Sequence, residues 1–182
     1  TKILVLSFTN ATVKDLLESF KKSGIKVIPE NCMTLHSFAL KLNHSTEKHI
    51  LDETEERLLR DYGEQLGISF DELCKLLNCI TFKQMITDCV AFIKTNPAYA
   101  KEKIGDLDLL IVDEYQDFNY EERELVLITI NYAKETIILG DDDQSIYGFK
   151  NADSEAIISL YNDETVVKIE HENKCYRCPK DV

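Results

Sequence analysis

The sequence predicts an α/β fold, a mainly parallel sheet flanked by helices, with an inserted helical subdomain. Three observations carry that expectation. Short apolar runs at 2–8, 107–112, 136–139 and 166–170 alternate with amphipathic helical stretches, the pattern of a parallel sheet. Between 44 and 105 strand signals vanish and helical periodicity takes over. Two apolar runs, Leu109-Leu110-Ile111-Val112 and Thr136-Ile137-Ile138-Leu139-Gly140, end in acidic clusters, as strands do when they deliver side chains to the ligand-binding edge of an open sheet. The predicted divisions are 1–43 and 106–182 as the two parts of one α/β lobe and 44–105 as the insertion.

The elements follow in order. Residues 2–8 read as a buried strand, and Asn10 as the cap of a helix with Val13, Leu16, Leu17 and Phe20 on one face, stopped by Gly24. Ile25–Ile28 and Cys32–Leu35 read as short strand material broken by Pro29-Glu30-Asn31, and His36 opens a helix to Leu42. In the insertion, helices are predicted from Ile50 to Leu66, after the capping box Ser69-x-x-Glu72, from Thr81 to Lys94, and from Asn96-Pro97 to Ile104. A stretch of that length is too long for a plain crossover between strands. Strand Leu107–Val112, a helix capped by Asn119-x-x-Glu122 and strand Thr136–Leu139 come next, then a helix at Ala156–Tyr161 and a strand at Val166–Glu170.

Composition narrows the class. A chain of 182 residues with 44% hydrophobic and 30% charged residues can bury a core of its own. No apolar stretch approaches the roughly 18 residues that span a bilayer, and the run Lys2–Leu6 is too short for a signal peptide. The six cysteines form no disulfide framework, so a reducing, cytoplasmic setting and no membrane partner are expected. A net charge of −12 argues against binding nucleic acid mainly by neutralising phosphates. The chain opens directly on a strand and stops at Lys180-Asp181-Val182 without a closing element, which reads as part of a longer protein.

The acidic clusters carry the chemistry. Asp113-Glu114-Tyr115-Gln116-Asp117 follows the first apolar run, and 28 residues after Asp113 comes Asp141-Asp142-Asp143-Gln144. Carboxylates gathered at one edge repel unless a cation sits among them, which predicts Mg²⁺ and a phosphate substrate. An Asp at a strand end holds Mg²⁺, and an adjacent Glu can orient and deprotonate an attacking water. The alternative for Asp113-Glu114 is a solvated acidic turn. Gln144 offers both donor and acceptor to a terminal phosphate oxygen, the alternative being an exposed residue after an Asp143 cap.

Together with Phe8-Thr9-Asn10, Thr34-Leu35-His36-Ser37-Phe38, the string Gly140–Phe149 and Tyr176-Arg177, these motifs occur in the order seen in UvrD/Rep-type superfamily 1 helicases, and the chain resembles that family over nearly its whole length. The resemblance implies a RecA-like ATP-binding lobe carrying an inserted helical subdomain. It also implies ATP and Mg²⁺ as cofactors, single-stranded DNA and a second RecA-like lobe of the same parent chain as partners, and a part in DNA repair. By the same resemblance Asp113 binds Mg²⁺, Glu114 activates the hydrolytic water and Gln144 senses the γ-phosphate. Arg177 acts as an arginine finger, and Tyr176 stacks on the adenine. Phe8, Tyr147 and Phe149 contact bases, while Thr9, Asn10, His36 and Ser37 hold the backbone of the strand. Read from position alone, Phe8 is equally a core aromatic, Tyr147 and Phe149 pack under a turn, and His36 is a capping or surface histidine.

Some family features are absent or altered. No G-x-x-x-x-G-K-[ST] occurs in the 182 residues, and the family cradles phosphates with that loop. Asn10-Ala11-Thr12-Val13, Phe149-Lys150-Asn151-Ala152 and Cys175 depart from the usual residues beside their motifs. Cys175-x-x-Cys178 with His171 supplies three zinc candidates where a structural site takes four. The expectation is therefore part of an ATP-dependent DNA helicase or translocase, inactive as these residues alone. The alternatives are a non-catalytic nucleic-acid-binding or regulatory relative, and a Mg²⁺-dependent phosphotransfer domain that leaves Gln144, Tyr147 and Arg177 unexplained.

Overall fold

In a computed structural model of the chain, residues 1–43, 47–140 and 160 are described. Strands β1 (Ile3–Ser7), β2 (Cys32–Thr34), β5 (Leu107–Val112) and β6 (Ala133–Ile138) form one parallel sheet in the order β2-β1-β5-β6. From β1 the chain crosses to β2 on one side and later returns to β5 on the other. That reversal opens a crevice beyond the carboxyl ends of β1 and β5, where open α/β sheets bind ligands. The predicted α/β class is what the sheet and its flanking helices show.

Helices α1 (Asn10–Lys22) and α2 (Leu35–Leu42) follow β1 and β2, and α7 (Tyr120–Ile130) joins β5 to β6. The insertion holds β3 (His49–Leu51), α3 (Glu53–Leu66), α4 (Phe70–Leu76), β4 (Cys79–Thr81), α5 (Phe82–Thr95) and α6 (Pro97–Ile104). One hydrophobic core joins Leu4 and Leu6 of β1 and Leu110 and Val112 of β5 to Leu35 and Phe38 of α2, Met85, Ile86 and Ile93 of α5, and Leu125 of α7. Thus α5 and α6 complete the core under the large sheet, while α3 and α4 pack on each other and on the small strands.

Local chemistry explains most boundaries. The boxes Ser69/Glu72 and Asn119/Glu122 start α4 and α7 as read from the sequence. The α1 stripe of Val13, Leu16, Leu17 and Phe20 is half-buried while its polar neighbours face solvent. Five readings are corrected. Thr9, not Asn10, caps α1, because its hydroxyl accepts from the Thr12 amide at 3.1 Å. Ile25–Ile28 is not a strand; Ile25 and Ile28 are exposed and Pro29 begins a 3₁₀ turn. The insertion does contain strands, β3 and β4, paired parallel to each other. At three residues each, they are too short to show a period of two beside strongly periodic helices. The helix read from Ile50 starts instead at Glu53, because Asp52 caps it with Glu55 closing a box. Strand β6 also reaches back to Ala133, its polar first half masking it in the sequence. The predicted helix at 156–161, apart from Leu160, and the strand at 166–170 lie outside the described residues. Leu160 is helical and packs against the core.

Candidate functional site

The carboxyl edge of the sheet gathers the ends of β1, β2 and β5. Past β5 the ladder continues one step, the Asp113 amide donating to the Leu6 carbonyl at 2.9 Å. That fixes Asp113 beside the end of β1. Beyond it the chain turns sharply. Glu114 adopts φ 55° and ψ 42°, a left-handed conformation that costs a residue with a Cβ on the order of 1–2 kcal/mol.

The turn is over-determined by its surroundings. The Leu139 amide donates to the Val112 carbonyl at 2.7 Å, and the Tyr115 amide donates to the Leu139 carbonyl at 3.0 Å, so Leu139, one residue past β6, grips both sides of Glu114. Tyr115, Gln116 and Asp117 form a buried 3₁₀ turn. From inside it the Gln116 Nε2 donates to Glu114 Oε2 at 2.8 Å, which anchors one carboxylate oxygen. Because β5 and β6 are adjacent and parallel, Gly140 also arrives at this edge, leading the chain toward Asp141.

Asp117 is a residue the sequence reading left without a role. Its Oδ1 is buried and has no hydrogen-bond partner among the described residues. Burial first, and the nearby Glu114 charge second, push its carboxyl above the usual carboxylate range. Gln116 was likewise unassigned. The available signal was the string itself, since two polar residues so close behind four aliphatics have little room except under the turn.

Of the residues expected on nucleic acid, Phe8, Thr9, Asn10, His36 and Ser37 are described; they lie just past the ends of β1 and β2, and most carry structural duties. The Phe8 ring lies 5.9 Å from the Phe118 ring and is half-buried, one face taken by the core. Thr9 is exposed, but its hydroxyl serves as the cap of α1. Asn10 is exposed in the first turn of α1. Ser37 and Thr34 form the cap of α2, with their hydroxyls 2.9 Å apart. His36 faces Glu122 across 3.2 Å and meets Phe82 edge-on at 5.2 Å. Gln144, Tyr147, Phe149, Tyr176 and Arg177, together with His171, Cys175 and Cys178, lie outside the described residues.

The donors at Asp113 and Glu114 are carboxylate oxygens, the hard ligands that Mg²⁺ takes. Among the described residues no three His, Cys, Asp or Glu side chains converge to form a metal cage. Nor is any helix among them long and apolar enough to cross a membrane.

The profile of the UvrD/REP helicase N-terminal domain family matches residues 43–165, more than half of the chain. The chain belongs to that family. Among its relatives, the ATP-dependent DNA helicase Rep of Buchnera aphidicola subsp. Acyrthosiphon pisum is 26% identical over 172 residues, covering 91% of this chain and 27% of the relative. The ATP-dependent DNA helicase Rep of Escherichia coli K12 is 30% identical over 108 residues, 59% of this chain and 16% of the relative. The ATP-dependent DNA helicase srs2 of Schizosaccharomyces pombe is 28% identical over 203 aligned positions, 96% of this chain and 21% of the relative. This UvrD/REP-family chain thus spans 27% or less of the length of each of these relatives.

Proposed function

We propose that the chain is part of an ATP-dependent DNA helicase or translocase that couples Mg-ATP hydrolysis to movement along single-stranded DNA. The observation that carries this reading is the clamped, left-handed Glu114 at the switch-point edge of the sheet, one residue past the strand-end Asp113. Such strain persists only where the surroundings impose it, and it recurs at active sites. Family membership and the names of the relatives support the same reading.

In this proposal residues 1–43 and 106–182 make a RecA-like lobe and 44–105 is inserted into it. Asp113 would hold Mg²⁺, which when bound draws charge from the phosphate oxygens. Glu114, with one oxygen held by Gln116, presents the other to a water and takes its proton as that water attacks. Gln144 and Arg177 would meet the γ-phosphate and Tyr176 the adenine. Phe8, Tyr147 and Phe149 would stack on bases at about 1–3 kcal/mol each, offsetting an acidic surface. Thr9, Asn10, His36 and Ser37 would contact the strand's backbone.

The missing phosphate loop implies that these 182 residues are silent alone. The test is single-strand-stimulated ATP hydrolysis by the intact gene product beside the isolated chain. Stimulated turnover in the first and none in the second is expected. No turnover in the intact product would favour the non-catalytic relative, and turnover by the isolated chain would contradict the division of labour.

A further inference from the structure

The outer helix of the insertion carries an apolar stripe that faces outward. Leu58, Tyr62 and Leu66 recur every fourth residue along α3, which places them on one line of the helix surface. They are 59%, 56% and 52% exposed, although a surface helix ordinarily turns such a stripe inward. The stripe borders a groove of about 490 Å³ lined by Leu51, Leu58, Leu59, Tyr62 and Leu77, with Leu77 itself 59% exposed. Glu55 also lines the groove, its carboxylate 3.0 Å from the His49 ring. Contiguous apolar surface of this kind marks an interaction site.

Charge says what fits there. Along α3 stand Glu53, Glu55, Glu56, Asp61 and Glu64 against only Arg57 and Arg60. Arg60 is itself held by Glu56 at 2.6 Å and lies over the Phe70 ring. The chain as a whole carries −12. At the α3 face, away from the sheet edge, that charge disfavours nucleic acid, an anionic bilayer and a second copy of the same face. It attracts a cationic segment whose own apolar stripe can enter the groove. We propose that the α3 groove receives a basic amphipathic helix of a partner protein, its aliphatic anchors seated between Leu58, Tyr62 and Leu77 and its basic residues facing Asp61 and Glu55. This inference is independent of the nucleotide site and goes beyond it.

The probe is a fluorescein-labelled 14-residue peptide of leucine and lysine with leucines at helical spacing, beside a scrambled peptide of the same composition. Fluorescence anisotropy with the intact gene product should show the patterned peptide binding at least about tenfold tighter. Leu58→Asp and Tyr62→Asp, both at exposed positions, should erase that preference while circular dichroism stays unchanged. Asp61→Lys should weaken the patterned peptide as well. Equal binding of both peptides, no binding, or a preference that survives Leu58→Asp would overturn the proposal. Sedimentation showing a dimer that Leu58→Asp dissolves would also overturn it, by making the occupant a second copy.

Discussion

His36 Nε2 stands 3.2 Å from Glu122 Oε1, which ties the start of α2 to the start of α7. The other oxygen of the same carboxylate accepts the Asn119 amide at 2.8 Å and completes the cap of α7. One buried glutamate therefore joins a helix of the first segment to the helix that follows the acidic turn. Glu122→Ala removes the carboxylate half of the capping box and the ion-pair partner of His36 together, while the Asn119 side chain can still cap the helix. Its expected cost is about 1–3 kcal/mol, read by urea unfolding. An unchanged midpoint would show the contact to be idle.

Gln116 holds Glu114 from inside the turn, so its truncation should loosen the carboxylate without touching nucleotide. In the intact gene product, Gln116→Ala is expected to lower kcat for stimulated ATP hydrolysis by about 10–100-fold with KM for ATP little changed. A rise in KM at constant kcat would assign Gln116 to binding instead.

Asp117 supplies a pH dependence. Its folded-state pKa is raised, so the folded chain holds this proton more tightly than the unfolded chain does. That contribution is fully present below the unfolded value of about 4 and is lost as pH rises through the raised folded value. At pH 7 the buried charge has Oδ1 unpaired among the described residues. Asp117→Asn should therefore be more stable than the parent at pH 7, by about 1 kcal/mol, with the gap closing toward pH 4. A gap that widens on acidification would reverse the sign and the explanation.

Gly63 sits inside α3, where alanine ordinarily stabilises by about 1 kcal/mol. Here a Cβ would stand 2.7 Å from the Ile68 carbonyl oxygen and 3.0 Å from Leu73 Cδ1. The backbone oxygen cannot step aside, since the Ile68 amide returns to the Gly63 carbonyl at 3.0 Å to close the helix end. Gly63→Ala should lower stability by about 1–3 kcal/mol in thermal or urea melts. A gain would mean that α3 and α4 are looser than this packing.

What the sequence made legible followed from strong local signals. The strand Leu107–Val112 lies between two others in the sheet and its last four residues, Leu109–Val112, read as an uninterrupted aliphatic run, while the boxes at Ser69 and Asn119 announce their helices. What it hid was set by tertiary context. The strands at His49 and Cys79 exist because each pairs with the other across 30 residues of sequence. The same holds at the site. Asp113 and Glu114 are readable as a pair after a strand, but the left-handed turn at Glu114 is imposed by Leu139 and Gln116. The duty of His36 is no more visible, because Glu122 reaches it from a helix 86 residues on.

The central claim is that Glu114 activates the attacking water at an edge built to hold it. The direct measurement is a single comparison in the intact gene product, Glu114→Gln against the parent, of nucleotide affinity and of single-strand-stimulated turnover. The substitution keeps the size of the side chain and removes the base. The account predicts turnover reduced by at least about 100-fold with nucleotide affinity within about twofold of the parent. Turnover that survives the substitution would contradict it.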